Sequence, residues 1–256
     1  MKEHITHIDL EGEILIDIDL ARDESYIGIT DKGNVILPFT TVFIPQSFRH
    51  PIIRWIDDGQ FLIVDARVSA RVNNCFIYDL DGKVHSQFFV GDGVQDVEIV
   101  KEKIIVTYFD EGVFGMEGPN NEGLVVFDNA GQILFRYNEK HQEAIIADCY
   151  CICSHGSNKI LFYPYTEFPL IELDLDSWEE TSYKVPEGLE GSNSITYTQD
   201  SLIFHSPYYD KKGVFKWVMG ETSAERIGEY EEGLRGLKDG RFLFIGERAF
   251  TILDFN

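Results

Sequence analysis

Side chains able to do chemistry recur where short apolar runs end. Asp65 and Arg67 close one run, and Tyr108, Asp110 and Glu111 a second. Tyr163, Tyr165 and Glu167 close a third; His205, Tyr208 and Tyr209 a fourth; Glu247 and Arg248 a fifth. Carboxylates of this kind can hold a hard divalent cation such as calcium through oxygen. Tyrosine offers a face and a hydroxyl to a sugar or small metabolite. His205 is of the type that moves a proton near neutral pH. Packing is the competing use: Tyr108, Tyr163 and Tyr165 also suit contacts between neighbouring elements, and Asp110 with Glu111 suits a turn.

Asp96 and Asp148 open two further apolar runs, VQDV and IADCY, at similar early positions. A buried carboxylate needs a partner or a metal. Arg54, Arg67 and Arg235 are the candidate partners, and a structural salt-bridge ring is the plainer reading. Cys149, Cys151 and Cys153 alternate in CYCIC, which puts them on one face of a strand. No CxxC or HxxxH stands elsewhere to complete a zinc site, so core packing is expected of them. P-loop, G-x-G-x-x-G, H-E-x-x-H and G-x-S-x-G motifs are all missing.

The elements that must position these residues are strands. Runs rich in Val, Ile, Phe and Tyr alternate with Asp-Gly and Lys-Gly turns, the mark of consecutive antiparallel hairpins. One hairpin recurs as IYDLDGKVHSQF (77–88), VFDNAGQILFRY (126–137) and, without its glycine, ELDLDSWEETSY (172–183); HIDLEGEILIDI (7–18) matches it too. Between these lie inner pairs at 26–39, 52–65, 97–109, 145–163, 194–206 and 234–246. Their spacing is mostly about 40 to 50 residues, the length of a propeller blade. The expectation is therefore an all-β chain, one β-propeller domain over 1–256, with six blades and with five or seven left open. The final stretch, TILDFN (251–256), reads as a third strand. A strand from 4–10 or from 13–20 would then close the last blade and remove an open edge. In such a fold the loops from second to third strands gather at one mouth of the ring, where ligands bind. The long connection EGVFGMEGPNNEG (111–123) exceeds hairpin length and suggests a flap there, with a merely decorative loop as the alternative.

The segment GDGVQDVEIV…IIVTYFDEGVFG (91–115), then GLVVFDNAG, IADCY and LFYPYTEFPLIEL, resembles a family of uncharacterised bacterial proteins that look like β-propellers. The resemblance covers roughly the central third of the chain. It implies the propeller fold and carries no assigned activity. Cys151 and Cys153 depart from the family pattern.

Composition narrows the function classes. Lysine and arginine number 22 against 44 acidic residues, a net charge of −22, which disfavours nucleic acid and anionic lipid as partners. A basic protein, a cation or a neutral small molecule fits better. Apolar residues at 44% and aromatics at 13% are too rich for a disordered chain. The N-terminal stretch is interrupted by acids and does not read as a signal peptide, so a cytoplasmic protein with reduced thiols is expected. The role expected is a binding scaffold for a small ligand or a protein partner at the ring mouth. Two alternatives stand beside it: a metal-dependent, lactonase-like hydrolase using Asp65, Asp96, Asp110, Glu111 and Asp148 with His205, and an acidic inhibitor of a basic protein.

Overall fold

The computed structural model describes residues 1–21 and 23–255. Their strands form six four-stranded antiparallel sheets, the blades of a six-bladed β-propeller. The first blade is β2 to β5 (Leu15–Leu20, Tyr26–Thr30, Asn34–Leu37, Thr40–Phe43), preceded in the chain by β1 (Lys2–His7). The second is β6 to β9 (Pro51–Asp57, Gln60–Asp65, Cys75–Asp79, Val84–Phe88), and the third β10 to β13 (Val94–Val100, Lys103–Tyr108, Leu124–Phe127, Ile133–Arg136). The fourth is β14 to β17 (Asp148–His155, Lys159–Tyr165, Pro169–Asp174, Glu180–Lys184), and the fifth β18 to β21 (Ser194–Thr198, Ser201–His205, Gly213–Val218, Glu225–Glu229). The last takes β22 to β24 (Arg235–Gly236, Arg241–Ile245, Ala249–Asp254) and adds β1 beside β24 as its outer strand. Asn256, the end of the expected 251–256 strand, lies outside the described residues.

The chain divides into two compact units. One holds residues 7–145 with 245–249; the other holds 1–6, 146–244 and 250–256. In the first unit β2, β6 and β10 lie side by side, and in the second β14, β18 and β22 do. Second strands such as β7 and β19 are buried on both faces. Along β7, Phe61 and Ile63 join one apolar cluster while Leu62 and Val64 join another. In β19, Leu202 and Phe204 face one cluster and Ile203 the next. A strand buried on both sides loses the apolar–polar alternation and reads as a continuous apolar run.

Outer hairpins turn by the chemistry their sequence repeats. Asp128 Oδ1 accepts the backbone N–H of Ala130 at 2.9 Å and of Gln132 at 2.8 Å, with Gly131 at φ +81°. Asp79 does the same for Asp81 and Lys83, and Asp174 for Asp176 and Ser177. These N–H donors, led by Lys83 for Asp79 and Ser177 for Asp174, hold both carboxyls below the ordinary range.

Three expectations shift. The pair at 26–39 is the second and third strands of its blade, and its first strand is β2, within the 13–20 segment. Alternating aspartates in LIDIDL disguise it, because Asp17 is buried against an arginine rather than solvated. An N-terminal strand closes the last blade as expected, and it is β1, which overlaps the 4–10 alternative; the stretch 7–18 therefore links two blades instead of forming a hairpin. The 111–123 connection carries a helical turn, α1 (Asp110–Val113), and a 3-10 turn at Pro119–Glu122. It is pinned from inside: buried Asn120 donates from Nδ2 to Gly112 O at 2.6 Å and Met116 O at 2.8 Å, and Asn121 donates to Val113 O at 2.8 Å.

Candidate functional site

The first unit spends most of its sequence-singled residues on its own architecture. Asp65 ends β7 and accepts the backbone N–H groups of Arg49 at 3.1 Å and His50 at 2.9 Å. Arg67 pairs with Asp92 at 3.2 Å and Glu111 at 3.0 Å, and stands 5.2 Å from the Phe109 ring centroid. Asp110 accepts its neighbour's N–H, from Glu111, at 2.7 Å. Tyr108 is fully buried and donates its hydroxyl to Val90 O; burial pushes that phenol up. Glu247 lies exposed in the 245–249 turn, where its backbone oxygen accepts Leu15 N, as that of Arg248 accepts Ile8 N. Arg67, Asp110 and Glu111 are thus brought together, while Tyr108 is a packing residue behind them.

Arg54 is the centre of the second arrangement in this unit. It is 5% exposed and donates to Asp17 at 2.6 Å, Asp96 at 2.5 Å, Val97 O at 2.8 Å and Ile53 O at 2.7 Å. Asp17 and Asp96 occupy equivalent places, each just after a bulge in a first strand: Leu15 to Asp17 in β2, Val94 to Asp96 in β10. The expected pairing of Asp96 with Arg54 is present, and Asp17 is the partner that sequence reasoning missed. Such a buried triad fixes geometry more than it adds stability. Asp148 is not the equivalent of Asp96. The β14 bulge falls between Cys149 and Cys151, one residue after Asp148. The same bulge overturns the common face of the three cysteines. Cys149 opposes Pro164 while Cys151 opposes the next residue, Tyr163, so the alternation flips between them. Cys151 and Cys153 share one core cluster, and all four cysteines are free and buried.

The second unit gathers several aromatic side chains around one partly exposed patch. Phe168, in the turn between β15 and β16, has its ring 5.4 Å from Tyr150, 5.6 Å from Tyr165 and 5.7 Å from Tyr208, each edge-to-face. Tyr163 lies beneath, fully buried, 5.5 Å from Phe168 and from Phe204. The hydroxyls of Tyr150 and Tyr208 hydrogen-bond each other. Burial, then the Tyr208 hydroxyl and the Asp148 carboxylate among others, push the Tyr150 phenol up. Above this frame Tyr165 is 41% exposed, Tyr208 38% and Tyr209 86%. Glu167, beside them in the same turn as Phe168, is also exposed. Two residues hold the loops in an unusual backbone: Phe168 at φ +49° and Ser206 at φ +59°. For a bulky aromatic this region is strained and persists only where the surroundings enforce it.

His205 sits in this unit but not in the patch. It is 1% exposed, with Nε2 at 3.1 Å from Tyr230 O and its ring near Phe242. Burial pushes its pKa down, partly opposed by the Tyr230 carbonyl. A neutral, enclosed imidazole is poorly placed to shuttle protons to solvent.

Comparison with known proteins adds the fold alone. No protein-family model and no curated protein matches this sequence. Solved structures do match over nearly the whole chain. A streptogramin B lyase structure aligns with a TM-score of 0.62 at 9% identity, covering 99% of this chain and 98% of that one. A catalytically inactive virginiamycin B lyase from Staphylococcus aureus, with quinupristin, aligns at 0.56 and 11% identity, covering 98% of each. The β-propeller domain of Myceliophteria thermophila Cps50 (Swd1) aligns at 0.59 and 11% identity, covering 98% of this chain and 99% of that one. At such identities the shared property is the propeller.

Among the described residues, no three His, Cys, Asp or Glu side chains are grouped so as to hold a metal ion. The candidate carboxylates are taken up by protein partners: Asp65 by the backbone amides of Arg49 and His50, Asp96 by Arg54 and Glu111 by Arg67. No helix of the described residues is long and apolar enough to cross a membrane. Tyr150 and Phe168 are the site residues that sequence reasoning missed. Both stand in its own motifs, DCY and EFPL, Tyr150 inside the strand β14 and Phe168 in the turn after β15.

Proposed function

We propose that this protein is a binding scaffold whose ligand site is the aromatic patch of Tyr150, Tyr165, Phe168 and Tyr208. One observation carries the reading: a rigid edge-to-face cluster, locked by a hydroxyl pair, leaves tyrosine surface open to solvent where the second strands β15 and β19 end, Tyr165 on the last residue of β15 and Tyr208 in the loop after β19. Tyrosine presents large contact area with few rotatable bonds, so little entropy is lost when a partner lands on it. Four buried free thiols fit a reducing compartment, and we place the action in the cytoplasm.

The test uses thermal unfolding of the wild type and of a Tyr165→Ala/Tyr208→Ala variant against a panel of sugars, amines and aromatic acids. A ligand at about 100 times its Kd stabilises by about 2.7 kcal/mol. The expected result is at least one compound that raises the wild-type Tm and leaves the variant's unchanged. If every stabilising compound acts equally on both proteins, the patch is not the site.

A further inference from the structure

We infer that the aromatic patch receives a lysine or arginine side chain of a basic protein partner, in the place that the chain's own Lys211 holds over Tyr208. The inference rests on the binding reading above and names the partner's chemistry. Its first support is that a cation is already seated: Lys211 Nζ stands 5.1 Å from the Tyr208 ring centroid. The Tyr208 ring is itself held in place, resting on Gly191 so closely that a Cβ there would lie 2.3 Å from its carbons. An ammonium or guanidinium within about 6 Å of such a ring is attracted by its negative face, more strongly as water leaves.

Charge around the patch is the second support. Asp148 bears on the Tyr150 hydroxyl, Glu190 lies in the loop whose backbone oxygen accepts Tyr208 N, and Glu167 and Glu187 are exposed on the flanking turns. Lys212, next to Lys211, is already paired with Glu231. Over the whole chain the net charge is −22, which draws a basic partner in by long-range attraction. A neutral sugar would gain nothing from that field, and an anionic ligand would be repelled by it. The exposed tyrosines also stand on two separate elements, Tyr165 at the end of β15 and Tyr208 with Tyr209 on the loop between β19 and β20, a spread suited to a protein surface rather than to a lone small cation.

The experiment measures binding of a fluorescent arginine-rich peptide by anisotropy. Tyr208→Leu leaves the net charge intact, so any loss reports the ring and not the field. It is expected to weaken binding about fivefold or more. Lys211→Gln empties the place over Tyr208, while Lys238→Gln removes an equal charge from an exposed turn elsewhere. Lys211→Gln is expected to tighten binding beyond the effect of Lys238→Gln. Because Lys211 is a surface residue, this arm holds even if Tyr208→Leu folds poorly. Equal affinity for wild type and Tyr208→Leu, with Lys211→Gln matching Lys238→Gln, overturns the inference: the peptide is then held by net charge alone. If a neutral compound still stabilises only the wild type in the thermal test, the cation is wrong and the binding site stands. If neither assay distinguishes the patch variants from wild type, both readings fall.

Discussion

His205 shows how one buried side chain makes stability depend on pH. Its ring is enclosed, Nδ1 has no hydrogen-bond partner, and burial pushes its pKa below the ordinary value. In the unfolded chain the imidazole titrates near about 6.5. As pH falls through that value the unfolded state takes up a proton that the folded state refuses. The unfolded state binds more protons there, so stability drops with falling pH; above that range the contribution is fully present. Wild type is therefore expected to lose more stability between neutral and mildly acidic pH than His205→Gln, read from urea midpoints. The remaining histidines are common to both proteins and cancel in the comparison. Equal losses would mean that the buried ring accepts a proton without cost. Arg54 meets burial in the opposite way. Desolvation opposes its charge, but the carboxylates of Asp17, Asp96 and Asp19 outweigh that cost, while two backbone carbonyls accept further N–H groups.

At the scale of elements, the pinned 109–123 connection depends on backbone meeting backbone. Gly93 has φ +69°, and a Cβ there would stand 2.4 Å from the Cα of Gly112. Neither atom is the free end of a side chain, so Gly93→Ala has to shift main chain. Gly156 supplies the control: it has φ +64° and nothing within 4 Å of its would-be Cβ. Gly156→Ala is expected to cost about 1 kcal/mol from left-handed strain alone. Gly93→Ala is expected to cost at least about 2 kcal/mol more, from the clash. Urea unfolding of both variants measures the difference, and equal losses would show that the two loops simply move apart. Neither glycine's role was readable beforehand, since both look like ordinary turn residues. Turns that act locally were readable: Asp79, Asp128 and Asp174 bond to amides two to four residues on, and that chemistry lies within a short window. Bulges were not. One extra residue in β14 leaves CYCIC looking like perfect alternation, because the flip exists only relative to β15. The aromatic patch was half readable for the same reason. Tyr165 ends β15 and Tyr208 follows β19, but that Tyr150 of β14 and Phe168 join them depends on how the turn after β15 and the loop after β19 fold back.

For the whole molecule, the charge that favours a basic partner also guards the strand that β1 covers. Strand β1 covers β24, yet its residues are almost all exposed, so it contributes a row of hydrogen bonds more than apolar burial. Strand β24 is a core strand, with Phe250, Ile252 and Leu253 buried. Deleting residues 2–7 should therefore lower stability modestly while leaving β24 as an open edge able to pair with a second chain. A net charge of −22 opposes that pairing as long as the copies repel each other. Repulsion reaches about 10 Å at 0.1 M salt and only about 3 Å at 1 M. The truncated chain is thus expected to keep the full-length hydrodynamic size at low salt and to self-associate at high salt, followed by light scattering. The full-length chain is expected to show no such change. A truncated chain that stays unassociated at 1 M salt would mean that β24 protects itself through its own twist or neighbours, and that the work of β1 is only local.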